Sequence, residues 1–180
     1  MMVIPVLASL LFYNRTVVWG TQLQLMAIFL LINGVILYLP SLLPSGNKDA
    51  RSMSALDSLL VGLGGAASII PGISSVGGAT AVASICGAER VFALNLTYLM
   101  HMVLTVALIG FDFAAAFAAG LSSVNFTVFT TYALAAATAF AGTYFGVRFM
   151  RLLAVNIGYS IFALYSLGAA LISFVLYLMV

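Results

Sequence analysis

The sequence predicts an all-helical integral membrane protein, because its composition and its long apolar runs differ from those of a water-soluble domain. Of the 180 residues, 64% are hydrophobic and 6% are charged, whereas soluble domains are about half apolar and about a quarter charged. A helix needs about 20 apolar residues to cross a bilayer. We therefore expect one membrane domain over residues 1–180, with about four to five transmembrane helices and one re-entrant helix-loop-helix hairpin.

The same composition excludes several classes of soluble protein. Six basic and four acidic residues give a net charge of +2, which is too small and too scattered for a surface that follows nucleic-acid phosphates. The single cysteine, Cys86, forms no internal disulfide and builds no thiolate metal site. A nucleic-acid-binding protein, a secreted disulfide scaffold and a cytosolic enzyme are all excluded, and membrane lipids are the expected surroundings.

Four apolar runs have the length of a transmembrane helix, and the sequence predicts spans over residues 22–43, 91–110, 126–147 and 157–180. Residues 114–120 are apolar but short, so either an interfacial turn or the frayed end of a neighbouring span is expected there. Residues 1–12 are also apolar, but they would make only about 18 Å of helix against a hydrocarbon core of about 30 Å. They fit either a short tilted helix or part of a span from a longer ancestor.

The region between Arg51 and Arg90 predicts a re-entrant hairpin over about residues 53–87. An apolar segment, residues 53–70, runs directly into Pro71-Gly72, and a moderately apolar segment, residues 73–87, follows. The second segment is too short to cross a bilayer. Non-helical backbone at membrane depth is tolerated where protein or a watery cavity covers it.

This topology places five of the six basic residues on one side of the membrane: Lys48, Arg51, Arg90, Arg148 and Arg151. Only Arg15 lies opposite. Cytoplasmic loops carry the excess of Lys and Arg, so the five mark the cytoplasmic face of the inner (plasma) membrane. The tip of the hairpin then opens to the extracytoplasmic side.

The break between the two halves of the hairpin has residues that favour an anion. Pro71 lacks an amide donor and ends the first half-helix, and Gly72 permits a tight reversal. Either Ser74 or Ser75 can cap the second half-helix, whose first amides have no intrahelical acceptor. Free amides and the helix dipole favour a bound anion.

Gly77 and Gly78 have two interpretations. They lack side chains that would hold a phosphate away from the backbone, and no carboxylate lies between Asp57 and Glu89 to repel it. Alternatively, they belong to a set of small residues that lets membrane helices approach closely, with Gly64, Gly65, Ala66, Ala67, Ala79, Ala81 and Ala83.

The break and its surroundings resemble the second signature of the bacterial undecaprenyl-diphosphate phosphatases of the bacitracin-resistance type. That motif reads roughly P-G-x-S-R-S-G-x-T and is followed by G-x-x-R. This chain has Pro71-Gly-Ile-Ser-Ser-Val-Gly77 and then Gly87-x-x-Arg90. The order of the flanking spans is also similar, and the resemblance covers essentially the whole chain, as the C-terminal part of a family member.

The resemblance implies a fold of inverted repeats, each with a re-entrant hairpin, of which this chain supplies one half and lacks the N-terminal repeat. It implies a phosphatase that converts a polyprenyl diphosphate lipid into the monophosphate carrier for cell-wall synthesis, with Mg²⁺ or Ca²⁺ as cofactor. Carried onto this sequence, it makes Ser74 and Ser75 catalytic. It assigns diphosphate binding to Gly72, Gly77, Gly78 and Thr80.

Two departures from the family pattern bear on activity. The acidic residues and the Ser-Ser-x-Gly-His element of the family come from its first repeat, and neither occurs here. The signature arginine falls on Ser75, which removes a bidentate phosphate clamp. No metal ligands are identified in this chain. The cation and acid-base groups then have to come from a second copy in a homodimer or from the missing half.

Two further residues are candidates with competing interpretations. His101 lies within a predicted span, where an ionisable group is a functional candidate or a buried imidazole bonded to a neighbouring helix. Arg90 matches the family motif and also suits the cytoplasmic interface. The sequence thus favours a phosphatase. A non-catalytic polyprenyl-phosphate binder or transporter and a structural fragment of a larger membrane assembly are the alternatives.

Overall fold

The computed structural model describes residues 1–118, 126–156 and 159–179, without the side chains of residues 13–18, 126–127 and 154–156. These ranges contain seven α-helices and one short 3₁₀ helix, Ala67–Ile69. In chain order the α-helices are α1 Val3–Gly20, α2 Leu23–Leu42, α3 Ala55–Ala66, α4 Ser75–Ile85, α5 Arg90–Ala118, α6 Phe126–Asn156 and α7 Ser160–Met179. The all-helical prediction is therefore confirmed for the described residues.

Three of the described helices are long and apolar enough to cross a membrane, namely Leu23–Leu42, Arg90–Ala118 and Ser160–Met179. They lie where the sequence predicts the first, second and fourth spans. Helix α6 contains the predicted third span, 126–147, and has 31 residues, but it is less apolar than the other three. The chain is thus a membrane protein by the length and composition of its helices.

Two helices extend further than the sequence suggests. Of the two expectations for residues 114–120, the end of a neighbouring span fits residues 114–118 and the interfacial turn does not, because α5 continues through Ala118; residues 119 and 120 lie outside the described ranges. Alanine is the strongest helix former, so the Ala-rich run extends the helix. The helix at the N-terminus likewise extends from Val3 to Gly20, well past the apolar run. The Arg15 side chain lies outside the described part.

The predicted hairpin of two half-length helices is present as α3 and α4. With 12 and 11 residues, they are about 18 Å and 16 Å long. Helix α3 begins with a capping box in which Ser54 and Asp57 bond each other's backbone amides. The break follows the 3₁₀ turn, and Gly72 has a φ of +90°, a conformation that glycine adopts without strain.

The two ends of the hairpin lie together on one side of the structure. The Lys48 backbone accepts a hydrogen bond from the Glu89 amide and donates one to the Gly87 carbonyl, each at 3.0 Å. The Lys48 ammonium also lies 2.8 Å from an Asp57 carboxylate oxygen. A single loop residue thus connects the start of α3 with the residues that follow α4.

Helices α2 and α7 pack against each other more extensively than any other pair of described helices, and they lie on one side of the hairpin. A Cβ atom at Gly34 of α2 would lie 2.7 Å from the Leu167 side chain of α7, so the glycine permits the close approach. On the other side of α4, Val61, Ala79, Ala83, Ala93 and Met100 form a buried cluster. The break between α3 and α4 therefore lies between two packed layers.

Candidate functional site

A cavity of about 330 Å³ lies against the break between α3 and α4. Helices α2, α4, α5 and α7 and Met150 of α6 contribute to its wall. Its polar lining residues are Asn33, Ser74, Thr80, Tyr159, Tyr165 and Ser166, and its apolar ones include Leu30, Leu37, Val76, Leu94 and Phe162. An apolar wall with a few convergent polar groups is typical of a small-molecule site.

Ser74 is the residue that caps α4. Its backbone is extended, and its Oγ accepts a hydrogen bond from the Gly77 amide at 3.1 Å. Its carbonyl accepts from the Gly78 amide at 2.8 Å. A serine hydroxyl has one donor besides its acceptor sites, and no described residue accepts from it, so the Ser74 hydroxyl proton is available to an acceptor in the cavity. The structure thus assigns the cap, which the sequence leaves open, to Ser74.

Thr80 lines the side of the cavity that faces α5. Its hydroxyl lies 3.0 Å from the Thr97 hydroxyl and 2.7 Å from the Val76 carbonyl oxygen, and the Thr97 hydroxyl lies 2.9 Å from the Leu94 carbonyl oxygen. Because each hydroxyl has one proton, one threonine donates to the other while the second donates to its own helix carbonyl. The hydrogen bond between the two hydroxyls connects α4 to α5.

The glycines that follow Ser74 divide between the two interpretations. Gly77 lines the cavity, and a Cβ atom there would collide with the Leu37 side chain on the opposite wall. Gly78 instead packs against α3, where a Cβ atom would collide with the Gly64 carbonyl oxygen. Gly72 also lines the cavity. Gly77 therefore borders the cavity and also packs closely against α2, whereas Gly78 serves helix packing alone.

Ser75 is placed differently from Ser74. Ser75 is 6% exposed and does not line the cavity. Its Oγ has no hydrogen-bond partner among the described residues. A buried hydroxyl without a partner costs about 1–3 kcal/mol in lost hydration.

We expect Ser75→Ala to raise the thermal unfolding midpoint, by the equivalent of about 1 kcal/mol, because it removes the buried hydroxyl. The matched control is Ser84→Ala in the same helix, since the Ser84 hydroxyl donates to the Thr80 carbonyl at 2.9 Å and its loss brings no such gain. Circular dichroism of the two purified variants in one detergent checks this. A midpoint for Ser75→Ala at or below that of the unsubstituted chain would show that the hydroxyl has a partner.

Arg90 and His101 lie outside the cavity lining. One Arg90 guanidinium nitrogen lies 3.5 Å from the Leu43 carbonyl, and its Nε is buried without a partner among the described residues. The Tyr159 hydroxyl, which does line the cavity, donates to the Arg90 carbonyl at 3.1 Å. The His101 residue is exposed on α5. Neither side chain thus joins Ser74 at the break.

The acidic residues near the hairpin bind backbone amides rather than face the cavity. Asp57 lies in the first turn of α3, at the opposite end from the break, where the hydrogen bond from Lys48 and those from Ser54 lower its pKa to about 2. Such a carboxylate stays charged and is a poor general acid. The Glu89 carboxylate accepts from the Val91 and Phe92 amides. Within the described ranges, no group of three metal-ligating side chains occurs.

Sequence reasoning missed the polar residues that α2 and α7 bring to the cavity. The Asn33 carboxamide accepts from the Ser74 amide at 2.8 Å and donates to the Ser166 hydroxyl at 2.9 Å, and Ser166 donates to the Leu30 carbonyl at 2.9 Å. Polar side chains inside a span that face the protein interior are a functional signal, so Asn33 could have been found. Ser166 is one of several serines and gave no such signal.

Comparison with known proteins confirms the family resemblance. The family model described as "Bacitracin resistance protein BacA" matches residues 1–172. An undecaprenyl-diphosphatase of Methanobrevibacter smithii is 33% identical over 99 residues, which are 54% of this chain and 36% of that relative. Undecaprenyl-diphosphatase 1 of Halalkalibacterium halodurans is 35% identical over 101 residues, 56% of this chain and 36% of that relative.

The matched segment spans about a third of the length of these relatives. The family model, in contrast, extends over nearly all of the chain, including the hairpin, its break, the first two apolar spans and the third as far as residue 172. The chain therefore belongs to the bacitracin resistance protein BacA family.

Proposed function

We propose that this chain binds a polyprenyl diphosphate at the break between α3 and α4 and takes part in hydrolysis of its terminal phosphate. The observation that carries the proposal is the position of Ser74 and Gly77, which follow the family pattern and line a largely apolar cavity. An apolar wall suits a prenyl chain, and a capped helix start suits a diphosphate. The names of the relatives supply the reaction.

The hairpin of residues 53–87 is proposed to enter the membrane and return, with its break at membrane depth. Each of its helices is shorter than the hydrocarbon core of about 30 Å, and Lys48 holds both of its ends on one side. Lys48 and Arg51 in the loop, together with Arg90, then face the cytoplasm. The protein lies in the inner (plasma) membrane. The cavity opens on the extracytoplasmic side.

At this site, phosphoryl transfer requires hydrogen-bond donors aimed at the charge that develops on the phosphate oxygens. The Ser74 hydroxyl proton and the first amides of α4 are donors of this kind. Leu37, Val76 and Phe162 line the apolar wall and exclude water from the prenyl chain. The residues that line the cavity thus bind and orient the substrate.

The divalent cation of the family does not fit the described residues alone. None of the described residues that line the cavity is charged, and the carboxylates of Asp57 and Glu89 are engaged elsewhere. These residues therefore hold no cation by themselves, and no step of the hydrolysis depends on a cation that they bind. We propose that the groups that hold it and activate water come from a second polypeptide segment, in another copy of the chain or in another part of the assembly.

The uncharged lining also favours a second candidate function. A site that binds a lipid diphosphate or monophosphate without hydrolysing it, as a carrier or transporter would, needs no acid-base group. Broken helices at mid-membrane depth recur in transporters that recognise anions.

Phosphate release from undecaprenyl diphosphate by the purified chain in detergent tests the proposal, with Mg²⁺ or Ca²⁺ and with chelator. We expect cation-dependent release when the segment that supplies the cation-holding groups is present, as a second copy of the chain or as a co-purified partner. Binding of the lipid by native mass spectrometry, measured in parallel, separates the candidates. Retained binding without release, together with exchange of the lipid phosphate between vesicles, would replace the phosphatase by the carrier; absence of both binding and release would refute the two.

A further inference from the structure

Asn33 connects the packed pair α2–α7 to the break. The residue is 5% exposed within the 20-residue apolar helix α2. Its carboxamide uses both ends: Oδ1 accepts from the Ser74 amide, and Nδ2 donates to the Ser166 hydroxyl. A buried amide is costly unless hydrogen bonds replace its contacts with water. These two bonds therefore favour a single orientation of the side chain.

The bond to Ser74 lies at the point where the break becomes helix. The Ser74 amide has no acceptor inside α4, because it precedes the helix, and Gly72 two residues earlier has a conformation accessible mainly to glycine. Asn33 thus fixes the peptide plane between Ile73 and Ser74. The direction of the Ser74 side chain and of the first amides of α4 depends on that plane.

The second bond fixes Asn33 itself. Ser166 accepts from Asn33 and donates to the Leu30 carbonyl, so its hydroxyl is held between α2 and α7. Gly34 lets α7 approach at this level. A continuous series of hydrogen bonds therefore runs from α7 through Asn33 to Ser74.

We infer that Asn33 is a positioning residue, which holds Ser74 and the start of α4 in the geometry that receives the diphosphate. This inference rests on the proposed function. Asn33 lines the cavity, and its Oδ1 holds the Ser74 amide while one Nδ2 proton is donated to Ser166; it acts through the bond to Ser74. A misplacement of about 1 Å in such a site lowers the rate by on the order of 10²-fold.

Two substitutions at Asn33 separate positioning from folding. Asn33→Leu removes both bonds with the same number of side-chain heavy atoms and makes the span more apolar, so membrane insertion is favoured. Asn33→Asp keeps an acceptor for the Ser74 amide, and the Ser166 hydroxyl can rotate to donate to the carboxylate. Ser68→Ala is the control, since it removes a hydrogen bond to the Gly65 carbonyl elsewhere in the hairpin.

The expected result is a split between kcat and KM for phosphate release from undecaprenyl diphosphate. Asn33→Leu lowers kcat by on the order of 10²-fold. Asn33→Asp recovers most of the kcat and raises KM, because its charge repels the diphosphate. If the chain binds the lipid without hydrolysis, the Kd from native mass spectrometry replaces the kinetic comparison, and both Asn33 variants are expected to bind more weakly.

Hydrogen exchange over residues 72–76, followed by mass spectrometry in the same detergent, is the readout that does not depend on activity. Asn33→Leu should speed exchange there, whereas Asn33→Asp and Ser68→Ala should not. Faster exchange with unchanged kcat, or a loss of kcat with unchanged exchange, would overturn the inference and leave the proposed function intact. An unsubstituted chain that neither binds nor hydrolyses the lipid would refute the function and this inference together.

Discussion

Ser74→Ala is expected to lower phosphate release from undecaprenyl diphosphate by on the order of 10²-fold or more, the loss typical of one missing donor to a developing oxyanion. The Ser74 hydroxyl lies at the cavity and keeps its proton for the substrate, because its oxygen accepts from the Gly77 amide. The measurement is the initial rate of phosphate release, normalised to folded protein.

The matched control is Ser54→Ala. Ser54 caps α3 as Ser74 caps α4, with its Oγ accepting from the Asp57 amide at 3.1 Å. Each substitution removes a helix cap worth about 1 kcal/mol, but Ser54 lies at the far end of α3 from the cavity. Equal losses of activity in the two variants would show that Ser74 acts only as a cap.

Ser74→Asp tests the reverse case, in which the helix cap is kept and binding of the lipid is weakened. Aspartate is as good a helix cap as serine, so the hairpin should remain folded. Its charge at the start of α4 would repel the diphosphate, and we expect the Kd for the lipid to rise. Unchanged binding by this variant would place the phosphate somewhere else in the protein.

Gly78→Ala is expected to lower the free energy of unfolding by about 3 kcal/mol, the largest loss among the substitutions proposed for this protein. Gly78 and Gly64 pack backbone against backbone where α3 and α4 cross: a Cβ atom at Gly64 would lie 2.7 Å from the Gly78 carbonyl oxygen, and one at Gly78 would collide with the Gly64 carbonyl oxygen. Backbone atoms cannot rotate away, so the helices must separate. The thermal unfolding midpoint in detergent measures the effect.

Gly168→Ala in α7 is the control for helix propensity, because nothing lies within 4 Å of a Cβ atom built there. It should be neutral or stabilise by up to about 1 kcal/mol, since alanine is the better helix former. If the two variants have the same thermal unfolding midpoint, α3 and α4 do not approach each other as closely as described.

The sequence predicted those parts of the fold that depend on local pattern. Apolar length located α2, α5 and α7, and the Pro71-Gly72 pair located the break, because both signals act within a few residues. The same local reasoning left residues 114–118 open between a turn and the end of a span, and the helix propensity of the alanines continues α5 there. It also left the cap open between Ser74 and Ser75. The Gly77 amide, three residues after Ser74, donates to the Ser74 Oγ, and this bond identifies Ser74 as the cap.

The cavity was harder to predict, since it is made by contacts between distant segments. Asn33 and Ser166 are 133 residues apart in the chain, yet their side chains lie 2.9 Å apart. Nothing in either local sequence specifies that pairing. The roles of Gly77 and Gly78 were also undetermined, because adjacent residues on a helix face different neighbours, and only the position of α3 shows which of them packs.

The central claim is that the cavity at the break receives the lipid diphosphate, and photo-crosslinking tests it most directly. A polyprenyl diphosphate with a diazirine on its first isoprene unit would be irradiated with the purified chain, and the adducts mapped by mass spectrometry. We predict adducts at Leu37, Val76 and Phe162, which line the cavity, and competition by unlabelled undecaprenyl diphosphate. Adducts confined to the exposed residues Phe129 and Phe140 of α6, or insensitive to competition, would contradict the claim.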